Sequence, residues 1–156
     1  TPDSPDLGDS GTILAQFQDS KGSGEITLEF AMFKEGLLVT QDNPLTQQTD
    51  SMAPPKPMII KEVVPNARLR GRWFDAKVRA VWSMGSQGAI DVWLNGRRIH
   101  SHRGRNLNRN VAPSFKFGIY RTKLHKYREK VSSVVPTQTV IFDGVARGSS
   151  EAEVSF

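Results

Sequence analysis

The chain has 156 residues, 37% of them hydrophobic and 24% charged, with no cysteine and a formal net charge of +5. Length and composition predict one folded, soluble domain, since domains cluster near about 100–150 residues and a disordered chain is poorer in apolar side chains. Lack of cysteine excludes a disulfide framework, a thiolate metal site and a cysteine nucleophile, and no apolar run nears the ~18 residues that span a bilayer.

The chain opens on Thr1 with no basic-then-apolar leader, which predicts a processed or excised product. Residues 1–10 are rich in Pro, Asp, Ser and Gly and read as a loose lead-in. Strand signals follow. Thr12 to Phe17 is a short apolar run, Glu25 to Phe30 alternates with period two, and Gly36 to Thr40 is a third run. Residues 41–57 read as a long loop, stiffened at its end by Pro54, Pro55 and Pro57, and Met58 to Val64 forms the next strand. Trp73 to Trp82 alternates tolerably, Gly85 to Gly88 is a turn, and Ala89 to Leu94 is a second strand. Asn95-Gly96 is the dipeptide a type I′ hairpin requires, because both central residues need positive φ; Arg97 to His100 returns from it. Phe115 to Arg121 and Thr139 to Ala146 are further strands, with Glu153 to Phe156 a last one. Between them, residues 122–136 read as an exposed basic excursion, because Thr122 to Lys130 suits a helix in composition but offers no apolar face. Eight to ten short strands at hairpin spacing predict an all-β, antiparallel β-sandwich or jelly roll, a single domain over residues 1–156.

Charge is unevenly spread. Between Arg97 and Lys130, eleven Lys and Arg side chains face one acid, Glu129. Such a field concentrates a polyanion near one part of the surface, whether nucleic acid, acidic polysaccharide or anionic membrane. The plainer reading is a solvated basic loop.

Most catalytic signatures are missing: no nucleophile elbow, phosphate-binding loop, zinc-protease helix or EF-hand. His100 and His102 share a strand face but lack a third ligand nearby, so they read as surface histidines in a basic loop. Trp73, Trp82 and Trp93 lie in strand segments and read as core or sheet-face residues; exposed in a groove, one could stack on a sugar or a base. The run Phe115-Lys116-Phe117-Gly118-Ile119-Tyr120-Arg121 differs in kind. Alternation puts Lys116, Gly118 and Tyr120 on one face and Phe115, Phe117 and Ile119 on the other, which the core should hold. The polar face then carries an ammonium and a phenol up to ~13 Å apart, a plausible groove floor. Gln16 and Gln18 form a similar pair around Phe17.

FKFGIYR, with GRWFDAKVRAVWS and VWLNGRR before it and TVIFDGVARG after it, resembles the polysaccharide lyases with a concanavalin-like β-jelly roll. The likeness is to the heparin lyase I and glucuronan lyase group and, more distantly, the jelly-roll alginate lyases; it runs from Gly11 to Phe156. It implies a concave sheet that binds an acidic polysaccharide and cleaves it by β-elimination at a uronic acid. Tyr120 matches the family's catalytic Tyr, Lys116 its basic partner, and Gln16 the Gln of a Gln-x-His element whose His is replaced here by Gln18. Arg121, Arg97, Arg98, Arg103 and Arg105 are the expected substrate-binding cations. An Arg-bearing strand that precedes these elements in the family has no counterpart before Gly11, so the jelly roll is expected to lack its N-terminal part.

The leading expectation is therefore a lyase-like domain, secreted or periplasmic, monomeric, with no cofactor, metal or membrane contact. The alternative is a non-catalytic carbohydrate-binding module derived from such a lyase. A basic nucleic-acid binder ranks third, for want of aromatic RNA-binding strands or a recognition helix.

Overall fold

In the computed structural model, the described residues are 11–19, 25–33, 36–42, 59–69 and 71–154, with the side chains of 59–63 excepted. The expected lead-in, and the expected loop beyond Asp42, lie outside them. Two antiparallel sheets form an all-β sandwich. The larger has five strands: β1 (Thr12–Gln18), β2 (Ile26–Met32), β3 (Gly36–Gln41), β4 (Ile59–Pro65) and β8 (Ser114–Arg121), in the order β4-β3-β2-β1-β8. The smaller is a meander of β5 (Ala76–Val81), β6 (Ala89–Leu94) and β7 (Arg97–Arg103).

Period-two patterning makes the core. Leu28 and Phe30 of β2, Leu37 and Val39 of β3, and Leu14 of β1 meet Ile90, Val92 and Leu94 of β6 between the sheets. The β6–β7 turn has the geometry its sequence demands, with φ of 48° at Asn95 and 75° at Gly96. Asn95 is tied back to β5, its amide donating to the Asp75 carbonyl and its side-chain oxygen accepting from the Asp75 amide. A Cβ on Gly96 would meet nothing within 4 Å. Gly96→Ala should therefore cost only the left-handed backbone penalty, about 1 kcal/mol, measurable as a lower urea midpoint at unchanged slope.

Several expectations are corrected. Residues 139–146 form no strand; the segment crosses β8 in irregular conformation, with Phe142 against Phe117 at 5.5 Å between ring centroids. Where a last strand is expected, Glu153 and Val154 lie in a 3-10 turn at Ala152–Val154, and residues 155–156 fall outside the described ones. Within the basic excursion lies a short helix, α2 (Leu124–Lys130), because Tyr127 alone is buried and anchors it while its charged side chains face water. A second helix, α1 (Asn66–Leu69), caps β4 and buries Leu69. The aromatic face of β8 is not sealed by the core either: Phe115, Phe117 and Ile119 are 46%, 52% and 43% exposed. Five strands oppose three, so β8 at the sheet edge finds no strand across from it among the described residues.

Candidate functional site

The site is built where β1 pairs with β8. Gln16 lies opposite Lys116, and Gln18 opposite Ser114. Lys116 Nζ donates to Gln18 Oε1 at 2.6 Å, and Gln16 Nε2 donates to the same oxygen at 3.1 Å. The Gln18 amide is thus held by an ammonium and a second amide. Gln16 Oε1 is buried without a hydrogen-bond partner among the described residues, an acceptor poised for a donor.

An irregularity in β1 decides which way the residue opposite Tyr120 faces. Between Ile13 and Ala15 the strand advances two residues, while β2 advances one and β8 three. Leu14, Ala15 and Phe17 all pack on the core, so two consecutive β1 residues turn inward. Ile13 is thereby re-aimed to the face of Gln16 and Gln18. Tyr120, its register partner, stays on the face of Lys116. The phenol is 64% exposed. Gly118 between them has φ of 141°, and a Cβ there would meet nothing within 4 Å, so the strand floor is open between ammonium and phenol.

Sequence reading missed Glu29. It pairs with Gln16 on one side and Thr40 on the other, so Thr40, Glu29, Gln16 and Lys116 form one row across four strands. Glu29 is buried, and that burial pushes its carboxyl above the usual glutamate range. In sequence it was one polar position in an alternating strand; only register sets it beside Gln16. Because the native state then holds a proton that the unfolded chain has released, Glu29 should lower stability as pH rises from the ordinary carboxylate range. Glu29→Gln should remove that slope. Thermal melts at pH 4.5 and 8 should show the variant gaining on the parent at the higher pH only.

The expected substrate arginines are not gathered here. Arg121 Nη1 donates to the Pro136 carbonyl at 2.8 Å, while Thr12, its register partner, donates to Gln138 Oε1 at 2.7 Å; together they clasp the segment that crosses β8. Arg105 ties its own loop, Nε donating to the Leu107 carbonyl at 2.9 Å. Arg97, Arg98 and Arg103 lie on β7, in the other sheet. His100 and His102 turn inward: His100 Nε2 meets Gln41 Oε1 at 2.5 Å in the core, and His102 Nε2 meets the Arg105 carbonyl at 2.9 Å. Of the tryptophans, Trp73 is 66% exposed, Trp82 packs against the core, and Trp93 lies on the outer face of β6. Among the described residues, no group of three or more His, Asp or Glu side chains is arranged as metal ligands. No helix among them is long and apolar enough to cross a membrane. A recess at one end of the sandwich is lined by Asp19, Glu25, Asp42 and Arg109 among others.

Fold and face together define a sandwich protein whose larger sheet carries a polar face, buried at Thr40 and Glu29 and exposed on the edge strand at Lys116 and Tyr120. The chain belongs to the polysaccharide lyase family, whose model matches residues 2–146. No curated protein and no solved structure matches it. Membership gives it a polysaccharide-lyase-like function, with a polysaccharide as the implied substrate.

Proposed function

We propose that this is a jelly-roll lyase domain of the heparin lyase I and glucuronan lyase kind. On this reading it binds an anionic uronic-acid polysaccharide across the β1–β8 face and cleaves it by β-elimination. The observation that carries the reading is the Gln16–Gln18–Lys116 cluster on the same face as an exposed Tyr120, in a chain of this family. Elimination removes the proton α to the uronate carboxylate. The electron pair left behind forms a carbon–carbon double bond as the glycosidic oxygen departs and takes a proton. Charge builds on the carboxylate, so donors aimed at it lower the barrier. The Lys116 ammonium and the glutamine amides supply them. The Tyr120 oxygen takes the α proton while its own hydroxyl proton passes to the departing glycosidic oxygen, so the phenol ends as it began. The same reading makes the domain a secreted or periplasmic monomer.

Elimination creates an unsaturated uronate that absorbs in the ultraviolet. Incubation with heparin, alginate and glucuronan should raise absorbance near that band; no rise on any acidic glycan from a folded preparation would sink the reading. Lys116→Ala should weaken binding and turnover together, about tenfold each, because it removes a charge that touches the substrate in both ground and transition states.

A second reading rests on Gln18. An amide cannot exchange protons near neutral pH, so a domain with Gln18 where its relatives carry His could keep the groove and lose the chemistry. It would then be a carbohydrate-binding module. Gln18→His separates the two: a gain in turnover identifies the missing imidazole as the defect, and binding without product in both forms favours the module.

A further inference from the structure

The outer face of the three-stranded sheet carries a charged surface that the candidate site does not use. Ile90, Val92 and Leu94 point into the core, so Asp91 and Trp93 point away from it. Register places Lys77 and Arg98 on either side of Trp93, and Arg79 and Ser101 on either side of Asp91. Simple alternation would send Arg98 and Arg103 to opposite faces of β7. A register shift prevents this: between Val92 and Trp93, β7 spends two residues, His100 to Arg98, for one of β6. Ile99 and His100 then both turn inward, and Arg98 joins Arg103 outside.

Asp91 holds that pair in place. It is buried beneath the guanidiniums, with Arg103 Nη2 at 2.8 Å, Arg98 Nη1 at 4.0 Å, and the Ser101 hydroxyl donating at 2.8 Å. Burial alone would raise its carboxyl. The Arg103 and Ser101 hydrogen bonds, with the charges of Arg103 and Arg98, outweigh that and hold it below the usual aspartate range. One carboxylate thus fixes two cations whose side chains stay 57% and 58% exposed. Lys77 lies over the Trp93 ring, 4.9 Å from its centroid, and pairs with Glu151. Lys77, Arg79, Arg98 and Arg103 outnumber Asp91 and Glu151, around an aromatic ring.

We propose that this face is a second binding surface for anionic polysaccharide, in which Arg79, Arg98 and Arg103 take carboxylate or sulfate groups and Trp93 supports a sugar ring. The inference rests on the anionic-glycan reading of the family, but not on catalysis. The two surfaces lie on opposite sides of the sandwich, so only a polymer long enough to turn its edge reaches both. A long chain then gains affinity through effective concentration, which a short one cannot. A glycan fits better than a nucleic acid, because the chain is a polysaccharide lyase by family and one half-covered indole offers a single platform, not a row for successive bases.

The test is an Arg79→Gln/Arg98→Gln double variant. It leaves the closer Arg103–Asp91 contact intact, and a melting temperature close to the parent's establishes that it is folded. Binding to long heparin and to a heparin tetrasaccharide is titrated across a salt series, with duplex DNA as a control. The expected result is a tenfold or greater loss of affinity for the long chain, with a shallower salt dependence and little change for the tetrasaccharide. Trp93→Ala should show the same chain-length bias if the double variant is unstable. Unchanged long-chain affinity in both folded variants would overturn the proposal, as would failure of the parent to bind heparin. Duplex DNA bound as tightly as heparin, with the same loss in the variant, would overturn it in favour of a nucleic-acid surface. If the double variant loses long-chain affinity while the parent yields no unsaturated product, this surface stands and the lyase reading fails.

Discussion

Tyr120→Phe is expected to reduce turnover on an acidic glycan at least a hundredfold while leaving affinity within about twofold. The substitution removes one oxygen from a ring that is 64% exposed, so no core contact is lost and stability should move by less than about 0.5 kcal/mol. A proton-transfer group contributes typically 10²–10⁴ in rate, and its loss appears in the chemical step rather than in binding. Lys116→Ala provides the contrast: its ammonium is held on the Gln18 amide at 2.6 Å, and on the proposed reading it meets substrate before and during reaction, so the change should move both parameters. Product formation by the Tyr120→Phe variant at the parent's rate would remove Tyr120 from the mechanism. A loss confined to affinity would make it a binding residue.

That contrast depends on Tyr120 and Lys116 sharing a face, which alternation along FKFGIYR already showed. The turn at Asn95-Gly96, the β6 strand and the sandwich class were equally legible, because each rests on local chemistry: positive φ, period-two patterning, strand spacing. What sequence could not supply were the register shifts, two of which shape the surfaces described above. One turns Leu14 and Ala15 inward together and re-aims Ile13; the other brings Arg98 to the face of Arg103. A strand read alone carries no record of a residue that its neighbour skips. For the same reason the arginines looked like one basic field along the chain, although the fold divides them. Arg121 holds the Pro136 carbonyl, Arg105 its own loop, and Arg98 and Arg103 lie over Asp91 in the other sheet, where their side chains stay more than half exposed. Asn106 was invisible too: as a loop amide it looked ordinary, yet it is buried, donating to the Val81 carbonyl and accepting from the Ser83 amide at 2.8 Å each. The strand expected over residues 139–146 failed because apolar content does not pair a strand. Ile141 and Phe142 remain 70% and 39% exposed.

Phe17→Ala should be the change that links stability to the site. Phe17 stands between Gln16 and Gln18 and points the other way, opposite Leu28 on β2 and Phe115 on β8. Its ring centroid is 5.3 Å from Trp82, beside the smaller sheet, and 5.0 Å from Phe115. One aromatic ring therefore braces β1 against the opposing sheet and against the edge strand that carries Lys116 and Tyr120. Fully buried Phe→Ala changes cost about 3–5 kcal/mol; Phe17 is only half-buried, so about 2–3 kcal/mol is expected, including lost ring–ring contacts. Phe17→Leu keeps most of the volume and should cost less than about 1.5 kcal/mol. Urea unfolding measures both. Glycan binding, at a temperature where Phe17→Ala is still folded, reads the second half of the claim. With β8 less firmly held, the Gln16–Gln18–Lys116 geometry loosens and affinity should fall several-fold, although no group that touches substrate has been altered. A folded Phe17→Ala protein with parental stability would dismiss the brace, and one that is destabilised yet binds as the parent does would show that β8 keeps its place without it.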